Sequence, residues 1–129
     1  MSGEAGTERI RVLLVEDRPD FRDLMEDLLN SQMDIKVVAQ AGSLAEARAQ
    51  AGRFEIDVVV LDLGLPDGNG VDLIADLRRT NPDVGVLILS ASLDAASFER
   101  ATEANADEIM DKLAPLDEVL GTVRRLGNA

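Results

Sequence analysis

The chain has 129 residues, the length of one domain, a net charge of −12, and neither cysteine nor histidine. Those two absences exclude disulfides, thiolate and imidazole metal sites and any Ser-His-Asp triad, and leave carboxylate, lysine and hydroxyl chemistry. A domain this acidic repels nucleic acid phosphates, and no apolar run approaches the roughly 20 residues needed to span a bilayer. Residues 1–8 are small and polar without a signal-peptide core, so they read as a flexible lead to a cytoplasmic domain over residues 9–127. Ile10-Arg11-Val12-Leu13-Leu14-Val15 is a strand of the kind buried on both faces, and it ends in the acid pair Glu16-Asp17. Pro19 opens a helix with Phe21, Leu24, Met25, Leu28 and Leu29 on one face. Ile35 to Ala39 is a short strand. Ser43 to Glu46 is a capping box that starts an alanine-rich helix running to about Gly52.

Val58 to Leu61 is an unbroken apolar, β-rich run, and Asp62 stands where it ends. Gly64, Pro66, Gly68 and Gly70 then force a loop. A helix from about Gly70 to Thr80 turns Val71, Ile74 and Leu77 inward, with Pro82 just past its end. Val84 to Leu89 is an apolar strand ending at Ser90. A helix from about Asp94 to Ala104 has only Ala95, Phe98 and Ala101 as an apolar face, and Asn105 is its left-handed cap. Ile109-Met110 forms the centre of a fifth strand, followed by Lys112. Pro115 begins a last helix with Leu116, Val119, Leu120 and Val123 at helical spacing. With only three aromatic residues, the core must be built from Val, Leu, Ile and Ala.

Five βα units without strand-strand hairpins predict an α/β domain: a parallel sheet with helices on both faces. The count suits the flavodoxin-like order 2-1-3-4-5, in which strands one and three are neighbours at the switch point. Glu16, Asp17 and Asp62 would then share one crevice. Crowded carboxylates repel unless a cation joins them, and oxygen ligation by few protein groups suits Mg2+. Ser90 and Lys112 end the strands at the other side of that crevice. A metal site, one carboxylate nucleophile, a hydroxyl donor and an ammonium together fit an acyl phosphate formed on an aspartate. Each feature has a plainer reading: strand-end acids are often only solvated, and a lysine beside acids is often only an ion pair. The segment Gly68-Asn69-Gly70-Val71-Asp72-Leu73 is no dinucleotide fingerprint, because Leu73 holds the third glycine position. Val71 likewise spoils a calcium-loop reading of the stretch from Asp67.

These residues resemble the receiver domain of two-component response regulators (CheY-like) from about Ile10 to Leu126. The family pattern is an acid pair after strand one, an Asp after strand three, a Ser or Thr after strand four and a Lys after strand five; Glu16-Asp17, Asp62, Ser90 and Lys112 stand there. Pro66 and Gly70 match the loop after the Asp, and the wording from Leu61 to Gly70 is nearest to LuxR/NarL-type transcription regulators. The resemblance implies that Asp62 accepts a phosphoryl group from a phosphohistidine on a sensor histidine kinase. It implies Mg2+ held by Asp17, Asp62, the Gly64 carbonyl and, through water, Glu16, with Lys112 and Ser90 meeting the phosphoryl group. It implies signalling through the face of helix four, strand five and helix five to an output domain or target protein, and homodimerisation there. A receiver is a phosphoacceptor with self-catalysed phosphorylation and dephosphorylation rather than an enzyme in its own right. Control of transcription through a LuxR-type output domain and stand-alone signalling by protein contact are both open on the sequence, and direct nucleic acid binding by this domain is not expected. A haloacid-dehalogenase-type phosphatase would need a second Asp at Gly64. Two positions depart from the pattern: Ile109 replaces the aromatic often found three residues before the Lys, and Leu113 replaces the proline after it.

Overall fold

The computed structural model describes residues 8–91 and 94–128. The expected flexible lead lies outside the described residues, apart from Glu8. Five parallel strands form one sheet: β1 (Ile10–Val15), β2 (Ile35–Ala41), β3 (Val58–Leu61), β4 (Gly85–Ser90) and β5 (Glu108–Asp111). Their order is β2-β1-β3-β4-β5, the doubly wound arrangement expected. Five helices connect and follow them: α1 (Pro19–Asn30), α2 (Leu44–Arg53), α3 (Val71–Thr80), α4 (Ala95–Glu103) and α5 (Leu116–Gly127).

The central strands β1, β3 and β4 lack polar alternation because both sheet faces are covered there. One core joins Leu13, Val15, Val59, Leu61, Val86 and Ile88 to Leu44, Ala47, Leu73, Ile74, Leu77 and Ala101, from α2, α3 and α4. The other joins Val12, Leu14, Val58, Val60, Leu87 and Leu89 to Met25, Leu29, Val119, Leu120 and Val123, from α1 and α5. Successive residues of β1, β3 and β4 therefore feed opposite cores, as the two-residue repeat of a strand requires. Val12 pairs with Val37 but Leu13 pairs with Ala39, so the β1–β2 register slips by one residue at Val38.

Several local expectations are corrected. Leu24 and Phe98 are 56% and 52% exposed, and Leu116 is also exposed, so helical spacing overstated the width of three buried faces. The loop after Asp62 contains a small antiparallel hairpin, Gly64-Leu65 against Gly68-Asn69, that the sequence pattern did not predict. In the capping box, Ser43 Oγ accepts from the Glu46 N–H at 3.1 Å as expected. Glu46 Oε1 accepts from the N–H of Gly42, one residue before the position the box prescribes. Asn105 does adopt the left-handed conformation, with φ 65°. No described helix is long and apolar enough to cross a membrane.

Candidate functional site

The carboxyl ends of β1, β3, β4 and β5 are tied to one another by main-chain hydrogen bonds, and these fix where the four strand-end side chains start. The Asp62 N–H donates to the Val15 carbonyl at 3.0 Å, and the Lys112 N–H donates to the Ser90 carbonyl at 3.1 Å. The Glu16 N–H donates to Ala41 of β2 at 2.9 Å. Beyond Asp62 the chain must turn at once. The Gly70 N–H donates to the Leu63 carbonyl at 2.8 Å, folding the loop back on itself. A Cβ on Gly70 would collide with the Asp62 carbonyl oxygen and lie 3.0 Å from Leu61 Cδ1. Glycine is therefore demanded there by close approach, in ordinary helical geometry with φ −57°. The tip of the loop is anchored elsewhere: Asp67 accepts from the N–H groups of Leu44 and Ala45 at 2.8 and 3.0 Å, capping α2. These bonds hold the Asp67 pKa below the ordinary carboxylate value.

Glu16, Asp17 and Asp62 converge: each offers a carboxylate oxygen, and the three oxygens lie within 4.8 Å of one another. Glu16 is 2% exposed and Asp62 9% exposed, while Asp17 faces solvent. Lys112 enters from the far side. Its Nζ is 2.6 Å from Glu16 Oε1 and 3.2 Å from Asp62 Oδ2, so one ammonium bridges both buried acids. The same ammonium lies 4.6 Å from the centre of the Phe21 ring. Glu16 is held further by the Arg18 N–H, which donates to its Oε2 at 3.1 Å. Burial pushes the Glu16 pKa up, against the hydrogen bonds from Lys112 and Arg18. Burial disfavours the Lys112 ammonium, but its bonds to Glu16 and Asp62 outweigh that and raise its pKa. A cleft of about 360 Å³ opens over the group, lined by Asp17, Arg18, Asp62, Gly64, Ser90 and Lys112 among others. Ser90 is buried in its wall.

All six residues singled out in the sequence, Glu16, Asp17, Asp62, Gly64, Ser90 and Lys112, thus lie in or against one cleft. Sequence reasoning missed two residues. Phe21 was assigned to the helix face alone, and Asp67 to the loop alone. Their partners are 91 and 23 residues away, and nothing local signals either contact. Chemically, three hard oxygen donors on a partly open surface suit a divalent cation that keeps some of its water. Ile109 is half-buried against the α2–α4 core rather than fully enclosed.

A flavodoxin-like sheet in this order, with an acid pair, a strand-end aspartate and a strand-end lysine in one crevice, defines the class of CheY-like domains. The chain belongs to the response regulator receiver domain family, whose model matches residues 12–124. It is 44% identical over 82 residues to the DNA-binding transcriptional activator DevR/DosR of Mycobacterium tuberculosis, a match covering 64% of this chain and 38% of that protein. The chain therefore spans well under half the length of that relative. Among solved structures, a LuxR-family response regulator from Aurantimonas sp. SI85-9A1 superposes with a TM-score of 0.86 at 26% identity, covering 94% of this chain and 86% of that one. A response regulator from Burkholderia pseudomallei, solved with a phosphorylated aspartic acid, calcium ion and citrate, gives a TM-score of 0.80 at 25% identity, covering 92% of this chain and 68% of that one. The chain is a receiver domain of the two-component type, with transcription regulators among its relatives.

Proposed function

We propose that this receiver is a phosphorylation switch whose phosphoacceptor is Asp62. The observation that carries the reading is the double bridge of Lys112 to Glu16 and Asp62 beside Asp17, at the mouth of an open cleft. An Asp62 carboxylate oxygen attacks the phosphorus of a phosphohistidine on a sensor histidine kinase. The new O–P bond forms as the P–N bond breaks, and the imidazole leaves with a proton taken up at its nitrogen. Asp17, Asp62, the Gly64 carbonyl and, through water, Glu16 would hold Mg2+, which supplies charge neutralisation for the transferring oxygens when bound. Lys112 contributes a second positive charge from the opposite side, and Ser90 a hydroxyl donor from the cleft wall. The phosphorylated aspartate in the Burkholderia relative supports the choice of nucleophile. The DNA-binding activator among the relatives supports a LuxR-type output module as the target of the switch, reached through the α4–β5–α5 face. The domain serves as a phosphoacceptor in signalling and works on no separate substrate.

Incubation with acetyl phosphate and Mg2+ should add one phosphoryl mass to the intact protein. Asp62→Asn should abolish the addition while leaving the fold intact by circular dichroism. Labelling that survives that substitution would move the nucleophile elsewhere and overturn the reading.

A further inference from the structure

The chain has three aromatic side chains and two lysines, and one of each meet beside the cleft: Lys112 Nζ stands 4.6 Å from the centre of the Phe21 ring. Helix geometry puts the ring there. Pro19 occupies the first turn of α1 and Arg18 caps it in extended conformation, so Phe21 leaves the helix at the carboxyl edge of the sheet. The ring packs against the α1–α5 core, which holds it in place.

Lys112 has a positioning problem that its two carboxylate partners cannot solve alone. Glu16 and Asp62 hold the ammonium. On the function proposed above, on which this inference rests, those same acids are shared with a divalent cation, and a shared carboxylate attracts an ammonium less. The electron-rich face of a phenyl ring attracts an ammonium but is a poor ligand for a hard cation. It is the one partner of the Lys112 ammonium among the described contacts that the cation leaves untouched. We infer that Phe21 is a positioning residue: its ring seats the Lys112 ammonium over the cleft when Glu16 and Asp62 are engaged elsewhere. Leucine would fill much of the same volume and pack on the same core. What it lacks is the ring's quadrupole, so packing and seating are separable.

The two lysines make the test direct. With 13C-labelled lysine the protein gives one set of signals from exposed Lys36, a reference, and one from Lys112. In the wild type the Lys112 side-chain signals should be shifted upfield by the ring, both without metal and with saturating Mg2+. Phe21→Leu should return them to the Lys36 position. The rate of phosphoryl uptake from acetyl phosphate should fall about two- to fivefold in Phe21→Leu, the size of a partly exposed cation–π contact, and recover in Phe21→Tyr. Replacing Phe21 by 4-fluoro-, 3,5-difluoro- and pentafluorophenylalanine keeps its shape while weakening the quadrupole, and the rate should fall stepwise along that series. A rate that is flat across the series, or a ring shift that vanishes when Mg2+ is added to the wild type, would overturn the inference. Wild-type protein that takes up no phosphoryl group would instead refute the proposed function, and the ring shift would still decide whether Phe21 seats Lys112.

Discussion

Gly70→Ala tests whether the loop after Asp62 is as tightly shaped as its geometry requires. Two effects oppose. Gly70 has φ −57°, which alanine adopts freely, so loss of unfolded-state freedom alone would stabilise the variant by about 0.5–1 kcal/mol. Against that, the new Cβ would collide with the carbonyl oxygen of Asp62 and press on Leu61, and neither is the loose end of a flexible side chain. Overpacking of this kind costs roughly 1–3 kcal/mol. The net loss should be about 1–2 kcal/mol, or a melting temperature lower by about 3–8 °C for a domain of this size. Gly121 is the internal control: it is exposed in α5, and a Cβ there meets nothing within 4 Å. Gly121→Ala should stabilise by about 0.5–1 kcal/mol. Urea unfolding of both variants gives the two signs. Because the clash falls on the backbone of Asp62, Gly70→Ala should also slow phosphoryl uptake several-fold, whereas Gly121→Ala should leave it unchanged. A Gly70→Ala protein as stable as Gly121→Ala would show that the loop relaxes freely and that Asp62 is not held by close packing.

Ile109→Ala should cost about 1–2 kcal/mol in urea unfolding, less than the roughly 2–5 kcal/mol of a fully buried truncation because Ile109 is half-buried, and should leave phosphoryl uptake within about twofold; a folded variant that cannot be phosphorylated would make Ile109 part of the switch. Mg2+ at about a hundredfold over its Kd should stabilise the domain by about 2.7 kcal/mol, and Asp17→Ala should remove most of that gain in calorimetry. In acid, Asp34 beside Arg124, Asp67 at the α2 N–H groups, Asp76 beside Arg48 and Asp94 at the Ser97 N–H all have pKa values held below the ordinary 3.8. Depressed folded values mean stability that is present above the ordinary value and lost as pH falls through the lower one. Glu16 runs the other way: its value is raised above 4.5, so its ionisation destabilises the fold as pH rises. Metal-free thermal melts should therefore be flat or slightly rising from neutrality to about pH 4.5 and then fall steeply below pH 4; a steady decline beginning at neutrality would contradict this.

The sheet was legible because its central strands β1, β3 and β4 bury both faces and so read as apolar runs, which in a chain of this length admit few alternatives. The site was legible for a related reason: its polar residues stand at or just past the strand ends, so strand order brings them together. Leu24, Phe98 and Leu116 were misplaced because helical spacing identifies a face but not how much of it a neighbour covers. The hairpin at Gly64-Leu65 was invisible because two-residue strands carry no period. Asp67 on α2 and Phe21 under Lys112 are contacts between elements distant in sequence, and no local pattern encodes them.

On the proposed function, the charges of the cleft call for both a lysine and a divalent cation. With Glu16, Asp17 and Asp62 ionised and Lys112 protonated, the cluster carries a formal charge of −2 within a few ångströms. Lys112 lies against the two buried acids, where the cost of an unpaired charge is greatest, and leaves exposed Asp17 to water. That arrangement pairs the buried acids but offers a phosphoryl dianion a repulsive surface. A divalent cation brings the formal charge to zero, so on the proposed function it is the condition for the donor's approach. On the same proposal, the lysine, paired with its acids in the structure, turns its charge toward the phosphoryl group once the cation shares those acids. If Asp62 is the phosphoacceptor, stability and competence for transfer are separate demands on one ammonium, and Glu16, 2% exposed and paired with Lys112, is what couples them.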